Sequence, residues 1–271
     1  MRLVAHDDAS IDLAEGCLLI AAHAYPDLDP APVLAELDRL AARVIAATES
    51  VGSPATTDEA SRLSALHRVL YDEAGFNGDR LDYYDPRNAL LNDVVRRRLG
   101  IPITLAVVEL EVARRAGIEL QGIGFPGHFL VGTPGGTIID PFERGAVRTH
   151  DDLRAMLRHG HGPGARDPGP FPTALLRPAS PRGILARILN NLRGMYAGRH
   201  DWTSALWAVE LLGVLHPADE HLERDRAMLL GHAGQFRAAT RALELYLAAH
   251  PDAPDRDTLE RALGLFRGRL N

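Results

Sequence analysis

The last third of the chain matches itself at a fixed offset. When "MYAGRHDWTSALWAVELLGVLHP" is set above "LLGHAGQFRAATRALELYLAAHP", Trp202 falls on Phe236, Ala205 on Ala239, His216 on His250 and Pro217 on Pro251, each pair 34 residues apart. A helix pair of that length cannot bury its apolar face alone and must stack on a neighbouring copy. The register predicts helices on each side of Gly198–His200 and of Gly234–Gln235, with Trp202 and Phe236 in equivalent buried sites. A terminal helix follows over "DRDTLERALGLFRGRL".

The first hundred residues also carry helical spacing, but without a repeat. "SIDLAEGCLLIAAHAY" opens on Ser10 as a candidate N-cap. In "DPAPVLAELDRLAARVIAAT" Asp29 stands as cap and Pro30 at the first helical position. "TTDEASRLSALHRVLYDEAG" has Thr56 and Glu59 at capping-box spacing and Gly75 as a stop. One helix is expected over "DPRNALLNDVVRRRLG", from Asp85–Pro86 to Gly100. The next, "IPITLAVVELEVARRAG", begins at Pro102, ends at Gly117 and is apolar around most of its circumference, which predicts a buried central helix.

Beyond Gly117 the period changes to two. "IELQGIGF", "HFLVGT" and "TIIDPF" read as short strands separated by Pro-Gly and Pro-Gly-Gly, and "THDDLRAMLRHG" as a further helix capped by Thr149 or His150–Asp151. If Pro134-Gly135-Gly136 forms a three-residue hairpin loop, Thr133 faces Thr137, Leu130 faces Asp140 and His128 faces Phe142. His128 and Asp140 are then diagonal neighbours on one face, within reach of a hydrogen bond. A two-residue turn would shift the register by one and part them. A His–Asp pair is two-thirds of a nucleophilic triad, so a third member has to be sought.

Between His159 and Gly183, eleven of twenty-five residues are Gly or Pro, and this stretch reads as an inter-domain linker. Residues 1–158 then form a helical plus mixed domain and residues 184–271 the helical repeats, giving an α+β fold overall. The net charge of −6 gives no general attraction to nucleic acid or anionic membrane, and neither is expected as a partner. The single cysteine, Cys17, excludes an internal disulfide. With no signal-like start and no apolar run of bilayer length, a cytoplasmic location is expected. Neither a metal nor a cofactor is expected. His150, Asp151, Asp152, His159 and His161 lack any fixed metal-ligand spacing, and "GTPGG" lacks the Lys-Ser/Thr of a phosphate loop.

The 34-residue unit resembles the tetratricopeptide repeat, which implies a surface for a protein or peptide partner. The upstream order, a buried helix, a "G-I" turn, a strand carrying histidine and a strand carrying aspartate, resembles the transglutaminase-like branch of the papain-type fold. "YYDPRNALLNDVVRRRLGIPITLAVVELEVARRAG", "GFPGHFLV", "IDPF" and "IDLAEGCLLIAAHAYPDLDP" are similar to the bacterial SirB-like family, which joins such a core to these repeats. The resemblance implies that a catalytic cysteine would stand at the start of the central helix, where the helix dipole favours a thiolate. Counting back about four turns from Gly117 reaches Pro102 and Ile103, which cannot be nucleophiles.

Thr104, the only hydroxyl of that helix, is the remaining candidate, although a threonine hydroxyl is far harder to ionise than a thiol. It can instead bond a helix carbonyl or His128. Cys17 lies mid-helix and reads as a small buried hydrophobe. The sequence therefore predicts a degenerate site of His128, Asp140 and Thr104. The protein would be non-catalytic and regulatory, binding protein through its repeats. The alternatives are a hydrolase or acyltransferase with an unorthodox nucleophile such as Thr104, and a metal-dependent hydrolase.

Overall fold

The computed structural model describes residues 8–49, 58–160 and 171–270. Two units divide the described chain, one running to Leu185 and the other from Ala186 onward. In the first, helix α1 (Leu13–Ala24) is capped by Asp12, whose carboxylate accepts from Glu15 N at 2.9 Å. Ser10 lies in a short 3-10 turn before it, so the expected cap is two residues early. Helix α2 (Ala31–Glu49) starts where Asp29 Oδ1 accepts from Ala31 N. Thr56 lies outside the described residues. Helix α3 (Glu59–His67) is capped by Asp58 through Ser61 N, and it continues through a π-helical turn, Arg68–Glu73. Glu59 does not close a capping box; its carboxylate accepts from Thr133 Oγ1 and Gly135 N.

The segment from Asp85 to Gly100 is not one helix. Pro86–Asn88 makes a 3-10 turn capped by Asp85, and helix α4 covers only Leu91–Arg97. Arg98 then takes a left-handed conformation that ends α4 two residues before the expected glycine. The break has a physical cause in Asn88. It is fully buried, with Nδ2 bonded to Asp82 O and Oδ1 accepting from Arg97, while its backbone carbonyl accepts from Ile101 N. A residue so engaged on three sides cannot also continue a helical ladder. Leu99–Gly100 (β2) pairs in parallel with Asn77–Gly78 (β1).

Helix α5 (Pro102–Arg115) has proline in its first turn and is buried along most of its length. It packs against β3 (Gln121–Ile123), β4 (Leu130–Gly132) and the 3-10 turn Pro141–Glu143. Strands β5 (Ile138–Asp140) and β6 (Ala146–Arg148) complete an antiparallel sheet of order β3-β4-β5-β6, of which β6 was not expected from sequence. Val131 pairs with Ile139 and Gly132 with Ile138, the register that a three-residue loop requires. Gly136 supplies the positive φ of that loop, +86°, at low steric cost. Helix α6 (His150–Gly160) is capped by Thr149, whose Oγ1 accepts from Asp152 N.

The Gly/Pro-rich stretch holds more structure than its composition suggests. Residues 161–170 lie outside the description, but Phe171 is buried with Ile123, Phe125, Leu130, Leu153 and Leu157. Thr173–Leu176 forms a 3-10 turn, and Ala179 N donates to Gly122 O on the edge of β3. Helix α7 begins at Pro181, inside the expected linker, and runs to Gly198. Proline at a helix start and at a sheet edge needs no backbone N–H, so these residues fit places that deny them regular structure elsewhere.

The second unit follows the 34-residue register. Helices α8 (Trp202–Leu215) and α10 (Phe236–Ala249) begin at the aligned aromatics and end at the aligned histidines. His216 and His250 take nearly the same cap conformation, φ −132° and −124°. Ala205 and Ala239 are both fully buried at the crossings. Helices α9 (His221–His232) and α11 (Arg256–Gly268) alternate with them. Trp202 and Phe236 are equivalent but only half-buried. Trp202 stacks on His232 at 4.6 Å between ring centroids, and Phe236 leans on Phe266 at 6.1 Å. Both stand at the first position of a helix, where the ring reaches only the end of the adjoining helix.

Candidate functional site

His128 lies in the bend before β4, and Asp140 ends β5. The hairpin register brings them together: His128 Nε2 and Asp140 Oδ1 are 2.9 Å apart. The ring of Phe142, opposite His128 in that register, meets the imidazole edge-on, with centroids at 6.2 Å. Asp140 is buried to 1% exposure and fully engaged. Its Oδ1 also accepts from Phe142 N at 3.1 Å, capping the turn that Pro141 begins, and Oδ2 accepts Arg148 Nε and Nη2 at 3.1 and 2.7 Å. Burial alone would raise its pKa, but the hydrogen bonds and charges of His128 and Arg148 outweigh it and hold the carboxyl below the usual range.

Arg148 was missed in the sequence because β6 was missed. The signal was present in "IDPFERGAVR", a second hairpin turn followed by an alternating strand. Phe142 belongs to a wider aromatic contact, with Tyr83 edge-on at 5.9 Å and the Arg80 guanidinium over its ring.

Thr104 is almost fully buried in the first turn of α5. Its hydroxyl lies 2.6 Å from Asn88 O and 3.1 Å from Ile101 O, both acceptors, and so gives its single proton to a main-chain carbonyl. The nearer acceptor belongs to the 3-10 turn Pro86–Asn88 rather than to the helix of Thr104, and the longer contact goes to Ile101 at the N-cap of α5. Cys17 is buried in α1, and burial, reinforced by the charges of Glu111 and Asp12, pushes its thiol pKa well above the ordinary value. It is a core residue, as its sequence context suggests.

The apolar reading of α5 overlooked two carboxylates. Glu109 is completely buried and Glu111 nearly so. Glu109 Oε1 lies 2.9 Å from His67 Nε2, and Oε2 accepts from Tyr71 OH at 2.7 Å. Burial and Glu109 together raise the Tyr71 pKa well above its ordinary value. A second His–carboxylate pair thus stands inside the first unit. No periodicity reveals it, because a single buried acid leaves the apolar face of a helix legible around it. Among the described residues, no group of three or more His, Cys, Asp or Glu could hold a metal ion. His150 stacks on Phe171 at 5.2 Å.

A model of the transglutaminase-like superfamily matches residues 31–190, and a tetratricopeptide repeat model matches residues 192–264. The chain belongs to the transglutaminase-like superfamily, with tetratricopeptide repeats behind that domain. A UPF0162 protein of Xylella fastidiosa is 39% identical over 256 residues, covering 90% of this chain and 87% of the relative. One from Pseudomonas aeruginosa is 33% identical, covering 93% and 90%. These relatives define the particular family, and the chain is a member of the UPF0162 proteins. F-box only protein 21 of Mus musculus is 40% identical over 106 residues, which is 35% of this chain and 17% of that protein. No solved structure matches. No helix among the described residues is long and apolar enough to cross a membrane.

Proposed function

We propose that this chain is a transglutaminase-like protein without the nucleophilic cysteine. In this reading it acts by binding protein partners through its tetratricopeptide repeats, in a regulatory role and in the cytoplasm. One observation carries it. The first turn of α5 offers Ile101, Pro102 and Ile103, and its only hydroxyl, on Thr104, is committed to the carbonyl of Asn88 at 2.6 Å. An acyl-transfer nucleophile must instead give its proton to the base. The fully bonded Asp140, capping its own turn and pairing with Arg148, supports a structural role for the dyad.

The rival reading, a hydrolase or acyltransferase using Thr104, draws on the 2.9 Å His128–Asp140 bond, which matches the base and orienting acid of such an enzyme. It requires the Thr104 hydroxyl to give up its buried bonds to Asn88 O and Ile101 O, at about 0.5–1.5 kcal/mol, before chemistry begins.

The binding reading is tested by measuring partner affinity with full-length protein recovered from its own cells. His128→Ala should change the affinity by less than about twofold. A loss of more than about tenfold with the fold intact would place recognition at the dyad and contradict the reading.

A further inference from the structure

The repeat unit contains a groove of about 630 Å³ between α8, α9 and α10. Its apolar lining includes two large side chains left open to solvent from different helices, Val214 at 46% and Leu245 at 64% exposure. Isolated exposed apolar residues are ordinary, but two in one groove make a surface with unburied area to gain. The charged lining is one-sided. Glu210, Asp219, Glu220 and Glu223 face a single guanidinium, Arg226. Arg226 pairs with Glu210 at 3.6 Å, and His250 with Glu220 at 2.6 Å. Asp219 and Glu223 have no ion pair among the described residues.

An apolar floor beneath uncompensated carboxylates selects its occupant by sign. An acidic or purely apolar segment would leave the rim charges repelled or desolvated, whereas lysine and arginine complement them. We propose that this groove receives a basic amphipathic segment of a partner protein. Its apolar side chains would seat on Val214 and Leu245, and its lysines or arginines would face Asp219 and Glu223. The proposal rests on the reading that the repeats bind protein and adds the chemistry of the partner.

The test uses the full chain and a fluorescein-labelled peptide of leucine and lysine at amphipathic helical spacing, read by fluorescence anisotropy. A second peptide carries glutamate for lysine. The lysine peptide should bind and the glutamate peptide should not. Glu223→Arg and Leu245→Gln should each weaken binding by about tenfold or more. Both side chains are exposed, so both variants should keep the wild-type circular dichroism. Glu119→Arg, the same charge change at an exposed position of the first unit, should alter binding by less than about twofold.

Equal weakening by Glu119→Arg and Glu223→Arg would reduce the effect to net charge and overturn the proposal. So would binding that Leu245→Gln leaves intact, or equal binding of the glutamate peptide. The same variants then separate the two readings. A natural partner held by the repeats but indifferent to Glu223→Arg and Leu245→Gln would overturn the groove proposal and leave protein binding standing. Specific peptide binding at the groove, with no partner recovered on the repeats, would uphold the groove chemistry and count against the wider reading.

Discussion

His128 Nε2 and Asp140 Oδ1 stand 2.9 Å apart, while Arg148 holds the other oxygen of the same carboxylate at 2.7 Å. The aspartate has three tasks: it orients an imidazole, neutralises a guanidinium and caps the turn after its own strand. Replacing it therefore disturbs stability as well as any chemistry. Asp140→Asn should cost about 2–3 kcal/mol at neutral pH, because Arg148 loses its counter-charge in a half-buried place. The folded pKa is depressed, so the stabilisation is present above the unfolded value of about 3.9 and is lost as pH falls through the folded one. Urea unfolding should show a gap between wild type and Asp140→Asn at neutral pH that closes below about pH 4. A gap that widened in acid would contradict the assignment.

The hairpin that makes this pair was legible because its loop chemistry fixes its register. Three residues ending in a glycine able to take positive φ leave one pairing that keeps His128 and Asp140 together. The 34-residue repeat was legible for a similar reason, since each copy is a local unit with its own caps. What escaped were features set by tertiary contact. Asn88 interrupts a segment whose periodicity reads as one helix, because its buried side chain bonds Asp82 O and Arg97 while its carbonyl accepts from Ile101 N, pairings that periodicity does not encode. Glu109 hides in an apolar helix because its partners, His67 and Tyr71, lie about forty positions upstream in sequence. Phe171 and Ala179 tie part of a Gly/Pro-rich stretch to the sheet, against a composition that reads as linker.

Thr104 should behave as a structural hydroxyl. Thr104→Val keeps the shape but removes the shorter of the two bonds to Asn88 O, leaving only that from Ile101 N at 3.2 Å, and should cost about 0.5–1.5 kcal/mol. Thr104→Ser, which keeps the donor, should recover most of that in the same thermal-unfolding measurement. Equal losses for the two would show that the methyl group, not the hydroxyl, is what the site needs.

Tyr71→Phe should be costly for a change of one atom. The hydroxyl donates to Glu109 in a fully buried setting, so its loss leaves a buried carboxylate oxygen short of a donor, at about 1–3 kcal/mol. Pairing it with Glu109→Gln should give less than the sum of the single effects, since both act on one network. Additive losses would mean the bond is not made in solution.

Gly231 on α9 has the tightest surroundings of the described glycines. A Cβ there would lie 1.9 Å from Phe266 Cζ. Gly231→Ala should therefore destabilise the protein by about 1–3 kcal/mol, despite alanine's better helix propensity. Phe266→Leu, by relieving the overlap, should restore part of the loss in the double variant. An alanine that stabilised the chain would show that α9 and α11 are further apart than described.

The central claim is that the transglutaminase-like site lacks a working nucleophile, and its most direct measurement is turnover. Purified full-length protein is incubated with a panel of peptide, amide and glutamine substrates, with product release and intact protein mass followed together. The account predicts no turnover and no acyl adduct, and no change after alkylation with iodoacetamide. Turnover or an acyl adduct that vanishes in both Thr104→Val and His128→Ala, with both variants still folded, would contradict it and make Thr104 the nucleophile and His128 its base.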